Sequence, residues 1–147
     1  MINYDDNGNQ IIQFSNRYNQ FKSVFLAFKG FIKTKFSEEN EFNISIKEDT
    51  ETTILLEFID RNFIAELSIF RRDERSLLGR IVFSEIISEE TTKKIDQAFI
   101  DIHGNVKETP SSQYSSLAIT QEESSIYLLK CWFVKFIENN IDEDENA

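Results

Sequence analysis

Ile11, Phe14, Tyr18, Phe21, Phe25, Phe28 and Ile32 recur at alternating steps of three and four residues. That spacing lays side chains along one face of an α-helix. Val24 and Phe31 broaden the face, while Asn16, Gln20, Ser23, Ala27, Gly30 and Thr34 fall on the opposite, small or polar side. The pattern predicts a long amino-terminal helix with one side in a core and the other in water, a partner or dimer groove being the alternative cover. Lys22, Lys29 and Lys33 border the stripe, where stems cover apolar surface and charges are expected to reach water. Leu26, among them, is expected to be exposed.

The period then changes from helical to two-residue. In EFNISIKE, Phe42, Ile44 and Ile46 alternate with Asn43, Ser45 and Lys47, as in a half-buried strand. TTILLEFID and FIAELSIF follow around a short turn at Asp60 to Asn62, which predicts a hairpin. RRDERS at 71 to 76 reads as a charged turn, and LLGRIVFSEI as a fourth strand through Phe83. The expected product is a four-stranded antiparallel meander. Leu55, Ile59, Ile64, Phe70 and Val82 oppose its core side, so part of the second face needs cover from a helix or another chain.

Residues 88 to 108 read two ways. Ser88 is placed as the N-cap of a helix with Ile95, Ala98, Phe99 and Ile102 on one side and Gly104 just past its end. FIDIHGNVKE also reads as strand, turn and strand around Gly104; the helix is preferred. The serine-rich ETPSSQYSS, residues 108 to 116, carries the single proline and predicts a loop. Thr120 and Glu123 match a capping box, and IYLLKCWFVKFI then has ten apolar residues in twelve. A helix so apolar is either central or shared with a partner, and it is too short to span a bilayer.

Composition narrows the class. With 147 residues, 40% hydrophobic and 13% aromatic, the chain suits a single α+β domain over 1–147: a long amino-terminal helix, the meander and a carboxy-terminal helix packed on the sheet. Residues 1–9 and 139–147 are expected to fray. A polar, acidic amino terminus and a single cysteine point to the cytoplasm. The net charge is −10, which repels nucleic-acid phosphates and anionic lipid and favours a basic protein partner.

Candidate chemistry is sparse. One His and one Cys do not assemble a zinc or copper site, and with no glycine-rich phosphate loop no cofactor is expected. His103 reads as an ordinary helix-end or turn residue and Cys131 as a buried, inert thiol. Glu57, Asp60 and Glu66 supply carboxylates for a metal-dependent enzyme, the third-ranked reading, but without the lysine such sites use. No catalytic residue is assigned. Partner-binding candidates are Asp73 and Glu74 in the charged turn, the aromatic anchors Tyr127 and Trp132, and the acidic tail Asp142, Glu143, Asp144 and Glu145.

In size and charge the chain resembles small acidic α+β bacterial immunity proteins. The resemblance implies an inhibitor that occludes a basic protein such as a toxin; the alternative is a homodimeric adaptor or secretion-chaperone-like protein that assembles through the carboxy-terminal helix or the spare sheet face.

Overall fold

The computed structural model describes residues 4–38, 41–73 and 76–141, with side chains for 7–37, 41–72 and 76–141. Helix α1 (Tyr4–Glu38) leads into β1 (Ile44–Asp49), β2 (Thr53–Phe58), β3 (Arg61–Asp73), β4 (Ser76–Ser88), β5 (Thr91–Ile100) and β6 (Val106–Lys107), and α2 (Glu122–Asn140) follows. The strands form one sheet in sequence order, each antiparallel to the next. The α+β class and the two flanking helices match the sequence expectation, but the sheet has six strands rather than four.

The two added strands come from the stretch preferred as a helix. Ser88 ends β4 instead of capping a helix, and residues 91 to 100 are strand. Around Gly104, whose φ is 84°, the chain turns into β6, as the second reading of FIDIHGNVKE has it. A bulge disguised the strand: the β4–β5 register shifts between Phe83 and Ser84, whose partners are Asp96 and Lys94. Ile95 is therefore the extra residue, and the two-residue alternation is broken there.

The capping box is also corrected. Gln121 occupies the N-cap of α2 without a side-chain bond. The Thr120 hydroxyl instead donates to the His103 carbonyl at 3.4 Å, and Ser125 donates to the Ile119 carbonyl at 2.8 Å. The first bond ties the start of α2 to the turn after β5, and the second closes the first turn of α2 on the segment before it.

One layer of aromatic rings joins sheet and helices. Phe63 and Phe83, on adjacent strands, stack at 5.6 Å, and Trp132 stacks on Phe83 at 5.4 Å. Phe28 meets Trp132 edge-on at 6.1 Å, while Phe133 reaches Phe58, Phe63 and Phe83. Both helices therefore cover the same sheet face. Burying a side chain of this size contributes about 1.5–3 kcal/mol. Gly79 lets α1 come close: a Cβ there would stand 2.7 Å from Ile100 and 3.0 Å from Phe21.

On the other face, Phe70 packs edge-on against Phe99 at 5.1 Å. At that end the loop after β6 folds back, with the Ser115 amide donating to the Val106 carbonyl at 2.8 Å. Lys107 lays its ammonium 4.3 Å from the Tyr114 ring. Leu55, Ile64 and Val82 are only half-buried, because both helices lie on the opposite face.

Lys29 does not reach water as expected. It is 3% exposed, donating to the Thr50 carbonyl and to Asp49 Oδ2 at 3.2 Å, while Lys33 donates to Asp49 Oδ1 at 3.2 Å. A buried ammonium must be neutralised where it sits. The bonds from Lys33 and Lys29 hold the Asp49 carboxyl below its ordinary 3.8. The stabilisation from this carboxylate is therefore complete above pH 3.8 and fades as pH falls through the lowered folded-state value. Asp49→Asn should cost about 1–2 kcal/mol at neutral pH, since Lys29 keeps only part of its shell. Urea unfolding should show the gap from wild type closing below pH 3.8.

The β2–β3 turn falls one residue earlier than predicted, at Ile59 and Asp60, with φ of 47° and 61°. A two-residue hairpin needs positive φ at both positions, where Asn, Asp and Gly are at ease and a β-branched residue is strained. Ile59 is 49% exposed, so little packing is lost on replacing it. Ile59→Asn should raise stability by about 1 kcal/mol in thermal unfolding.

Candidate protein-binding surface

A helix with ten apolar residues in twelve carries more than one face can bury. In α2 the inner face consists of Ser125, Leu129, Trp132, Phe133 and Phe136, all buried. The outer face carries Tyr127, Cys131 and Val134, spaced four and three residues apart, with Ile137 beside them; Ile141, also exposed, is the extended C-cap just past the helix. Tyr127 is 57% and Val134 50% exposed.

Tyr127, Cys131 and Val134 share a shallow, open stretch of surface with Lys130, Lys135 and Glu138, and a second open stretch adjoins it toward Lys35 and Glu122. Tyr127 and Lys130 belong to both, so the two stretches form one track along the helix. The two lysines are engaged within the chain. Lys130 lies 4.6 Å from the Phe42 ring, and Lys135 pairs with Asp96 at 3.4 Å. Glu122, Glu123 and Glu138 stay exposed along the track. Cys131, one helical turn on, raises the Tyr127 phenol above its ordinary 10.0 through a side-chain hydrogen bond, and the phenol is a neutral hydrogen-bonding group at physiological pH with or without that shift.

The structure sorts the predicted partner-binding residues. Tyr127 stands on the outer face. Trp132 does not: at 1% exposure it is a core residue, stacked between sheet and α1, and offers no surface to a partner. Asp73 ends β3, and its side chain, like Glu74, Asp142, Glu143, Asp144 and Glu145, lies outside the described residues. Cys131, expected to be buried, is exposed. The sequence reading missed Val134, Ile137 and Ile141 as surface residues; the apolar excess of the helix was the signal that could have found them.

The reactive candidates lie apart from this face. Glu57 pairs with Lys47 at 2.8 Å, Asp60 sits in the hairpin turn, and Glu66 points from the exposed part of β3. His103 is in the β5–β6 turn, which Asp101 organises by accepting the His103 and Asn105 amides at 2.9 Å each. Among the described residues no group of three or more His, Cys, Asp or Glu is placed to hold a metal ion. Nor is any described helix long and apolar enough to cross a membrane.

A second apolar surface lies on the amino-terminal half of α1. The stripe is buried from Phe21 through Phe36, but Ile11 is 70%, Ile12 59% and Phe14 49% exposed. Periodicity predicted a core face along the whole stripe; the body covers only its second half.

Comparison with protein-family models, curated proteins and solved structures returns no match to this chain.

The placement of Cys131 and Trp132 on opposite faces of α2 has a direct solution readout. An aromatic disulfide reagent should titrate Cys131 in the native protein about as fast as in urea. Acrylamide should hardly quench Trp132 until the chain unfolds. Slow native labelling would place the outer face of α2 under cover.

Proposed function

We propose that this chain is a cytoplasmic, non-enzymatic protein-binding module that docks a basic protein on the outer face of α2. In its most concrete form it is an inhibitor, of the immunity type, that occludes a toxin-like partner. The observation that carries this reading is the exposed row of Tyr127, Cys131, Val134 and Ile137 beside Glu122, Glu123 and Glu138. Scattered surface apolar groups need no explanation, but a continuous row with acidic neighbours is what an interface requires: an apolar centre to be desolvated and a charged rim to select the partner. The net charge of −10 acts at longer range, steering a basic protein toward the surface and speeding association.

The test uses the partner recovered with the intact chain from its native lysate and then purified. Tyr127→Ala should weaken the complex by about thirtyfold or more, as loss of a central aromatic anchor does. Val134→Asp should abolish binding at micromolar concentration, with neither substitution changing the unfolding midpoint appreciably. Association should slow steeply as salt rises from about 0.05 to about 0.5 M, and complex formation should protect Cys131 from thiol reagents. A complex indifferent to Val134→Asp, or an association rate indifferent to salt, would overturn the proposal.

A further inference from the structure

The amino-terminal half of α1 poses a separate question. Every residue from Asn9 through Gln20 is exposed except Tyr18, which is half-buried. Residues 4 to 20 make a helical arm about 25 Å long, and from residue 9 to residue 20 the body leaves it uncovered but for Tyr18. An isolated helix of this length is marginal in water, and this one includes Asn7, Gly8, Asn9, Ser15, Asn16 and Asn19, all poor helix formers. Its helicity therefore calls for a contact along the apolar seam Ile11, Phe14 and Tyr18. The seam runs in register with Phe21, Phe25 and Phe28, a heptad spacing suited to a second helix.

We infer that the arm pairs with the arm of a second copy of this chain, antiparallel and centred on Phe14. Three observations select that occupant and orientation. Between residues 7 and 21, the stretch that overlaps in a pair centred on Phe14, Arg17 is the single charged residue, so that stretch carries almost nothing to attract a charged partner or repel a copy of itself. A parallel pair would bring the bodies together from Phe21 onward, where the seam is already occupied by the protein's own sheet. It would also set Arg17 against Lys22 twice. The antiparallel pair instead seats Ile11 against Tyr18 of the other copy and Gln10 beside its Arg17. The two bodies, each part of a chain of net charge −10, then stand at opposite ends. Seven residues from Phe14 to Phe21 on each side separate them by about 20 Å, beyond the screening length of about 8 Å at physiological salt.

A contact strip about 20 Å long and about 10 Å wide on each helix buries less than the roughly 800 Å² per partner of a standard interface. The dimer is accordingly weak and concentration-dependent. It uses α1 and leaves the outer face of α2 open.

Sedimentation equilibrium across about 1–500 μM tests the inference on the full chain. The average mass should rise from one chain toward two, and Phe14→Asp should hold it at one chain with the body's unfolding midpoint unchanged. Gln10→Glu sets a new carboxylate beside Arg17 of the other copy, at both ends of the pair, only in the antiparallel register, and should tighten dimerisation about threefold. Gln10→Lys should weaken it. Cys131 labelling should be the same at both ends of the concentration range, which separates this contact from binding at α2. A wild-type chain monomeric throughout, a dimer insensitive to Phe14→Asp, or Gln10→Glu without a tighter dimer would each overturn the inference.

Discussion

The stacking of Trp132 on Phe83, itself stacked on Phe63, is the contact on which the rest of the molecule depends. It joins α2 to the two central strands, and Phe28 brings α1 against the same indole. Paired rings contribute beyond their buried area when offset or edge-on, and here offset and edge-on pairs share members. The position of each helix is therefore set by the other as well as by the sheet. The surface of α2 follows from this anchoring. With Trp132, Phe133 and Phe136 turned inward, the helical repeat turns Tyr127, Cys131 and Val134 outward.

Polar ties fix what the rings leave open. Arg61 lies 4.9 Å from the Phe136 ring and donates through Nη2 to Glu85 Oε1 at 2.9 Å, so Glu85, 4% exposed, is buried with its charge matched. Lys29 and Asp49 do the same where α1 crosses the β1–β2 turn. In each pair one member is buried and the other reaches the surface, so losing the partner leaves the buried charge uncompensated and is costly. Such pairs hold the helices in one register against the sheet.

How far the fold could be read from the sequence depended on whether the local pattern carried the deciding information. The three-and-four spacing of α1 and the alternation in β2 to β4 arise within single elements, and both were legible. In Thr91–Ile100 the bulge opposite Phe83 and Ser84 interrupts the alternation, and Ile95, Ala98, Phe99 and Ile102 then fit a helical face as well as a strand. β6 has two residues, too few for any period. The candidate surface was hidden for a different reason. Spacing tells which residues share a face, not what lies against it, so Phe14 and Phe21 look alike in the sequence although the body covers only the second. Trp132 and Val134 likewise belong to one apolar run, and only the fold separates inside from outside.

The Lys29–Asp49–Lys33 cluster has a consequence for how another chain can join this one. Asp49 ends the outermost strand, whose register with its neighbour slips between Ile46 and Glu48, so charge and irregularity blunt a margin that would otherwise invite strand addition. At the opposite margin, Lys93 bonds to Asn140 at 2.8 Å and Lys135 to Asp96, tying α2 across the start of β5. Extension of the sheet by a foreign strand is thereby discouraged on both sides, which leaves side-chain packing between helices as the open route to assembly.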